Sequence, residues 1–477
     1  MPRLSELFPE ADTRMVVGLS ADSREVKPGF VFVAVPGARA NGLAYVPGAV
    51  ASGAVAIVAE EKPAGLPARV AFVPVPNARL ALAQAAARLH PLQPETIVAV
   101  TGTSGKTSTT VFARQIWARL GVQAASLGTI GVVKPDGATY GALTTPDPVL
   151  LHETLDGLAR EGVTHLAMEA SSHGLEQHRL DGVRLAAGAF LNLSRDHLDY
   201  HGTMEAYFAA KLRLISHLLG PGRPAVIALG APWREPALAA ARAHGLMPIT
   251  IGAADSDVVL SEVTRTPAGQ HLAVEFFGRR QTIELPLIGD FQAWNALAAA
   301  ALCVATGSDE AGVFAALARL EGVPGRLDNL GTVNGAAVIV DFAHKPEAIV
   351  NVLAALRPYA KGRLIIVFGC GGDRDAGKRP LMGAAAVAGA DIVIVTDDNP
   401  RGEVPVAIRQ AIMAAAPGAI EIGDRKQAIG EAVAMARPGD IVLIAGKGHE
   451  TGQIVGDTVL PFSDHQVARA AMQEARQ

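Results

Sequence analysis

The sequence predicts an α/β protein of three domains: a small N-terminal one, a central one with a mainly parallel sheet and an antiparallel addition, and a doubly wound C-terminal one. Three observations carry this. At 477 residues the chain exceeds what one hydrophobic core supports, since domains of ~100–200 residues are usual. Short apolar runs alternate with helical stretches along most of its length, the pattern of helix-covered parallel sheets. Proline-containing breaks at His90-Pro91-Leu92-Gln93-Pro94 and Val323-Pro324-Gly325-Arg326 interrupt that alternation twice. Domains are therefore expected at 1–90, 91–320 and 321–477.

In chain order, the N-terminal domain is built on a β-like run at 30–35, the turn Pro36-Gly37, an apolar run at 54–59 and a helix over 80–89. The central domain opens with a buried-strand run at 97–100, a glycine-rich turn and a helix from Thr107, with further strands at 165–168 and 187–193. Between 258 and 287, β-branched residues and the turn Pro267-Ala268-Gly269 predict the antiparallel addition, and an alanine-rich helix over 294–305 closes the domain. Strands near 337–340, 364–368, 392–395 and 441–444, separated by helical stretches, give the C-terminal domain its Rossmann-like pattern.

Hydrophobic residues make up 49% and charged residues 18%, enough to build large cores and too few charges for disorder. A formal net charge of -4 excludes the basic field of a dedicated nucleic-acid binder. Anionic ligands must therefore be held by local groups. Cys303 and Cys370 stand far apart without metal-ligand spacing, which argues against a disulfide framework or structural zinc. Acids and prolines interrupt the first ten positions, where a signal peptide needs a continuous apolar region. The uncharged stretch 43–59 contains Pro47, Gly48 and Gly53 and is shorter than the ~20 apolar residues of a membrane span. A cytoplasmic protein without a membrane span is expected.

The clearest chemistry lies in Gly102-Thr103-Ser104-Gly105-Lys106-Thr107, followed by Ser108, between strand and helix. Glycines let backbone N–H groups approach phosphates, the helix N-terminus favours negative charge, Lys106 can reach the β and γ phosphates, and the Thr107 hydroxyl can hold Mg²⁺. A chance turn before a helix is the alternative, and Gly-Lys-Thr in this context argues against it. Val100 stands where the wider loop pattern has glycine. Glu169 follows the apolar run 166–168, at the carboxyl end of a strand where open sheets place ligands, and offers a hard oxygen to Mg²⁺. A solvated loop acid is the blander alternative. The polar run 192–201 follows another strand and contains His197; it reads equally as the capped start of a helix. Lys211, in an amphipathic run over 204–219, reads by itself as a surface lysine.

The short loop form resembles that of the Mur ligases and the folylpolyglutamate synthetases. With Met168-Glu169-Ala170-Ser171-Ser172-His173-Gly174-Leu175, the run 192–201, Lys211, Asp22-Ser23-Arg24, and Gly446-Lys447-Gly448-His449-Glu450, the chain resembles a Mur ligase along its whole length, specifically the branch adding the third peptide residue in peptidoglycan synthesis. That resemblance implies an ATP-dependent amide ligase. ATP would meet 102–108, Asn295 and His344, with Lys106, Glu169, His197 and Lys211 catalytic. Two Mg²⁺ ions would be held by Thr107, Glu169, His197 and Lys211, the last as a CO2-derived carbamate, because a free ammonium cannot ligate a metal. UDP-N-acetylmuramoyl-L-Ala-D-Glu would meet Ser23, Thr144, Thr145, Ser171, Gln177 and Arg179. Gln292 and Leu143 stand where relatives often have asparagine.

Meso-diaminopimelate differs from lysine by a far carboxylate, so its site needs a cation. Arg374 and Arg401 follow strand ends of one sheet, and guanidinium forks suit carboxylates. The string Asp398-Asn399-Pro400-Arg401 resembles the diaminopimelate type, with Gly446 and Glu450 completing the pocket. Asp341, in Asp341-Phe342-Ala343-His344, is equally a helix cap or a catalytic group. A lysine-adding ligase, a folylpolyglutamate synthetase and a nucleotide-binding protein without ligase activity are the rivals. A monomer is expected.

Overall fold

A computed structural model describes residues 1–37, 41–139, 143–252, 254–266, 269–323 and 325–475. The expected turn at Pro267-Ala268 and the break at Pro324 lie outside these. Contacts divide the chain into two compact units, Met1–Val259 with Asn295–Ala316, and Leu260–Trp294 with Leu317–Gln477.

The first unit begins with a four-stranded parallel sheet, β1 (Gly18–Ser20), β2 (Phe30–Val33), β3 (Ala56–Ala59) and β4 (Ala71–Pro74), in sequential order. Its residues alternate between two cores: Val31, Val33, Ala56 and Val58 face one side, Phe32, Ile57 and Ala59 the other. This period of two explains the unbroken apolar runs, because both faces are covered.

The second sheet of this unit contains β5 (Thr96–Thr101), β6 (Ala124–Gly128), β7 (Gly131–Lys134), β8 (Gly137–Thr139), β9 (His165–Glu169), β10 (Leu185–Phe190), β11 (Pro224–Ile227) and β12 (Met247–Gly252). Their order is β12-β11-β10-β5-β9-β6-β7-β8. Six strands are parallel, while β6, β7 and β8 form an antiparallel meander that the sequence reading did not anticipate. β5 lies between β9 and β10, with Val100 opposite Glu169 and Thr101 opposite Phe190. Three loops therefore leave adjacent strands at one edge of the sheet, and these carry the site. β13 (Val258–Thr266) begins beside β12 and runs into the second unit.

In the second unit, β14 (Gly269–Phe276) and β15 (Arg279–Leu285) pair antiparallel, as expected. The doubly wound sheet comprises β16 (Asp328–Val333), β17 (Ala336–Asp341), β18 (Leu364–Phe368), β19 (Ile392–Val395), β20 (Ile420–Glu421) and β21 (Ile441–Ala445), ordered β16-β17-β21-β18-β19-β20. Leu364, Ile366 and Phe368 face one core and Ile365 and Val367 the other, again burying both faces. A hairpin, β22 (Gly452–Val455) and β23 (Thr458–Pro461), follows. No helix among the described residues is long and apolar enough to cross a membrane.

The helix Pro148–Arg160 buries His152 completely. Burial is the main cause that pushes its pKa down to about 4. The unfolded chain takes up a proton below about pH 6.5 that the folded chain refuses until about pH 4. Stability is complete above that window and lost as pH falls through it, by up to about 3 kcal/mol. His152→Leu should therefore lose less melting temperature than the parent between about pH 7 and pH 4.5; equal losses contradict this.

Candidate active site

Loop 102–105 joins β5 to the helix Lys106–Arg119. Gly105 has φ +84°, and a Cβ there would lie 2.3 Å from Asn295 Oδ1, so only glycine lets the loop pass this buried side chain. The Ser104 backbone is gripped from both sides: its N–H donates to Asn192 Oδ1 (2.9 Å) and its carbonyl accepts from Asn192 Nδ2 (3.0 Å). The Thr103 hydroxyl reaches the Ser194 carbonyl (3.2 Å) and lies 3.2 Å from the Tyr207 hydroxyl. Ser108 is buried in the first helical turn. Lys106 Nζ folds back onto the carbonyls of Gly102 (2.9 Å) and Thr103 (3.1 Å).

Beneath the loop, Glu169 ends β9 almost fully buried. Its Oε1 accepts from the Thr107 hydroxyl (2.9 Å) and the Thr129 N–H (2.8 Å), and its Oε2 from the Thr129 hydroxyl (3.2 Å). Buried carboxylates need such donors. Two hard oxygens, of Thr107 and Glu169, thus stand side by side, which suits Mg²⁺. Among the described residues no group of three or more His, Cys, Asp or Glu side chains is placed to hold a metal ion. Phosphate oxygens and water commonly complete a Mg²⁺ shell.

Lys211 is not the surface lysine that its isolated sequence context suggests. It lies on the helix Met204–Arg213, 1% exposed, with Nζ 2.9 Å from the Gly102 carbonyl and 4.7 Å from the centre of the Tyr207 ring. The same carbonyl receives Lys106. Burial first, then the Lys106 charge, push the Lys211 pKa down to about 6, against a smaller opposing effect of Asp196. Its amine is therefore largely neutral at neutral pH. His197 has φ +52° and a side chain 44% exposed, paired with Asp196 at 3.5 Å, and its ring meets that of His173 edge-on. His197 precedes the short helix Leu198–His201 without a side-chain cap, so helix capping does not account for the polar run.

The residues expected to meet the muramoyl-dipeptide form one network. Thr145 Oγ1 donates to the Glu169 carbonyl (3.0 Å) and accepts from the Ser171 N–H (3.1 Å). Arg179 holds the Thr145 carbonyl (2.7 Å) and, through two nitrogens, Gln177 Oε1; Gln177 in turn donates to the Tyr200 hydroxyl. Thr144 lies 3.1 Å from Thr129, which links it to Glu169. Ser171 also caps the helix Ser172–Glu176. Ser23 lines a separate cleft of ≈ 930 Å³, with Tyr45, Asp147, Leu150 and Glu153.

In the second unit, the loops after β17, β18, β19 and β21 leave the carboxyl ends of parallel strands. Asp341 caps no helix: its half-buried carboxylate accepts from the N–H groups of Leu327 and Ala343, both at 2.8 Å. Desolvation raises its pKa. His344 Nδ1 is 2.8 Å from the Phe342 carbonyl, and burial lowers its pKa. Arg374 is exposed after β18. Arg401 has φ +52° and donates to the Gly372 carbonyl at 2.9 Å. Asp398 and Asn399 are buried, and Asn399 Nδ2 donates to Glu450 Oε2 (2.9 Å). Gly446, at φ +117°, would place a Cβ 2.8 Å from Asp398 Oδ2. Buried Arg425 donates twice to Asp464, both bonds 2.7 Å, and also to the Ala445 carbonyl, which anchors the strand end before Gly446.

Comparison with known families gives matches to the Mur ligase family catalytic domain at 16–90, the Mur ligase middle domain at 100–303 and the Mur ligase glutamate ligase domain at 325–448. The chain belongs to the Mur ligase family. It is 56% identical over 96% of its length to a UDP-N-acetylmuramoyl-L-alanyl-D-glutamate--2,6-diaminopimelate ligase from Bradyrhizobium diazoefficiens (95% of that protein). It is 57% identical over 96% of its length to the protein of the same name from Mesorhizobium japonicum (again 95%). A solved structure of a protein with this name, 33% identical, matches with a TM-score of 0.76 over 100% of this chain and 99% of that one.

Within this Mur ligase, the sequence names the loop, Glu169, Lys211 and the polar run that begins at Asn192, whose grip on Ser104 spans 88 positions, but not Thr129. Thr129 fixes Glu169 across 40 positions and carries no sequence signal of its own.

Proposed function

We propose that this Mur ligase joins meso-2,6-diaminopimelate to the D-glutamate γ-carboxylate of UDP-N-acetylmuramoyl-L-Ala-D-Glu in peptidoglycan synthesis, at the expense of ATP. The observation that carries this is the buried Thr107–Glu169 pair, with Lys106 and Lys211 converging on one loop carbonyl above it. Such a site positions and neutralises phosphates, which is most of what phosphoryl transfer requires.

A γ-carboxylate oxygen attacks the γ-phosphorus as the bond to ADP breaks, giving an acyl phosphate. The amine of the incoming amino acid then attacks the carbonyl carbon, phosphate leaves, and the nitrogen loses a proton. Lys106 turns from its two carbonyls to the β and γ phosphates, and the N–H groups of 103–107 cradle them. Asn295 would meet the adenine, and His344 would serve the ATP side. Thr107 and Glu169 would hold one Mg²⁺ and His197 with carbamylated Lys211 a second; bound Mg²⁺ neutralises phosphate charge. The neutral Lys211 amine supports the carbamate, because only an unprotonated amine adds to CO2.

Ser23 would meet the uridine part and Thr144, Thr145, Ser171, Gln177 and Arg179 the muramoyl-dipeptide. Arg374 and Arg401 would hold the far carboxylate of diaminopimelate, Asp398, Asn399, Pro400 and Gly446 would line the pocket, and Glu450 would meet an ammonium of the same ligand. We assign the domains to 1–90, 91–320 and 321–477, and the enzyme to the cytoplasm as a monomer. Phosphate release should require ATP, the UDP-dipeptide and the amino acid together. Release at the full rate with the UDP-dipeptide omitted would overturn the ligase reading.

A further inference from the structure

One buried cation of the second unit lies outside the ligand contacts proposed above. Lys447 is 0% exposed, and its Nζ lies 2.9 Å from Asn399 Oδ1, 3.1 Å from Glu450 Oε2 and 3.6 Å from Asp398 Oδ1. Burying a lysine is costly unless it is paired and hydrogen-bonded, and here all three partners belong to the proposed amino-acid pocket.

The hydrogen bonds leave little freedom. Asn399 Oδ1 accepts from Lys447 and from the Ile454 N–H (3.0 Å), so the amide cannot flip without facing two donors with its own N–H groups. Its Nδ2 gives one hydrogen to Glu450 Oε2. Glu450 Oε2 is thus filled by Asn399 and Lys447, while Oε1 has no hydrogen bond among the described residues. What remains is one carboxylate oxygen that accepts and one amide N–H that donates. Two carboxylates against one ammonium leave a single net negative charge.

We propose that Lys447 is the positioning residue of the amino-acid pocket. By holding one Glu450 oxygen and fixing the Asn399 amide, it leaves an acceptor and a donor side by side, a pair that matches the ammonium and carboxylate of a zwitterionic amino-acid end. Lysine's side-chain terminus, an ammonium alone, leaves the Asn399 donor without a partner. Lys447 thereby contributes to the choice of a diamino dicarboxylic acid over lysine. The inference rests on the assignment of Asn399 and Glu450 to diaminopimelate.

Initial rates of phosphate release test it, with the full-length enzyme and each substrate varied in turn. Lys447→Met and Lys447→Gln should raise the diaminopimelate KM by about tenfold or more, since charged hydrogen bonds that fix the reading groups are lost. The KM values for ATP and the UDP-dipeptide should stay within about twofold. Lys447→Gln, which keeps a donor for Asn399, serves where Lys447→Met does not fold. Because Lys447 acts through Glu450, the KM increase of the double variant with Glu450→Gln should fall well short of the product of the single increases. An unchanged diaminopimelate KM, increases that multiply in full, or all three KM values rising together with a lower melting temperature would overturn the role of Lys447. A parent enzyme that releases no phosphate with diaminopimelate would instead overturn the assignment beneath it.

Discussion

Lys211→Ala is expected to slow amide formation by about 10²–10³-fold, the scale on which loss of one preorganised electrostatic group acts. The cause is specific to this lysine. Its amine is buried beside Lys106 on the Gly102 carbonyl, and that setting holds it neutral near pH 7. A neutral amine can become a carbamate and exchange a repelling cation for an oxygen ligand. Acetate or formate should therefore restore part of the lost rate in Lys211→Ala, by placing a carboxylate in the space vacated, and should not affect Glu169→Gln in the same way. A folded Lys211→Ala enzyme at nearly the parent rate would remove Lys211 from the catalytic set, and failure of both acids to restore activity would count against the carbamate.

Arg401→Ala should raise the diaminopimelate KM by about 10- to 100-fold, while the ATP KM stays within about twofold, as for a side chain that reads a carboxylate with two nitrogens. The position is already demanding, since Arg401 adopts φ +52°, a left-handed conformation that side chains other than glycine enter at a cost. Alanine meets the same backbone demand, so melting curves should change little beyond the loss of the bond to the Gly372 carbonyl. Arg401→Lys keeps the charge but not the fork and should recover little. An unchanged diaminopimelate KM in Arg401→Ala would take Arg401 out of the pocket.

The fold was legible where a strand is buried on both faces. Runs such as 364–368 and 441–444 are apolar throughout because each face meets its own core, and the loop at 102–107 is set by its glycines. The meander β6–β8 was not legible: β8 is exposed along its length and β7 half-buried, so no hydrophobic pattern marks them. The site followed the same division. Glu169 announced itself by ending an apolar run, but the burial of Lys211 depends on packing against β5's loop and Tyr207, over 100 positions away for Gly102. Local sequence gives a lysine on an amphipathic helix; only the tertiary contact lowers its pKa. Asp341 was ambiguous for a related reason, since its two N–H partners include Leu327, on a turn that no local pattern connects to it.

Phosphate release from ATP and UDP-N-acetylmuramoyl-L-Ala-D-Glu, with diaminopimelate or lysine as the amine, tests the central claim most directly. Release with diaminopimelate, accompanied by the amide product and exceeding that with lysine by about tenfold or more, is the expected result for a pocket with arginines for a second carboxylate. Equal rates with the two amino acids would contradict the assigned specificity, and no release with either would contradict the ligase itself.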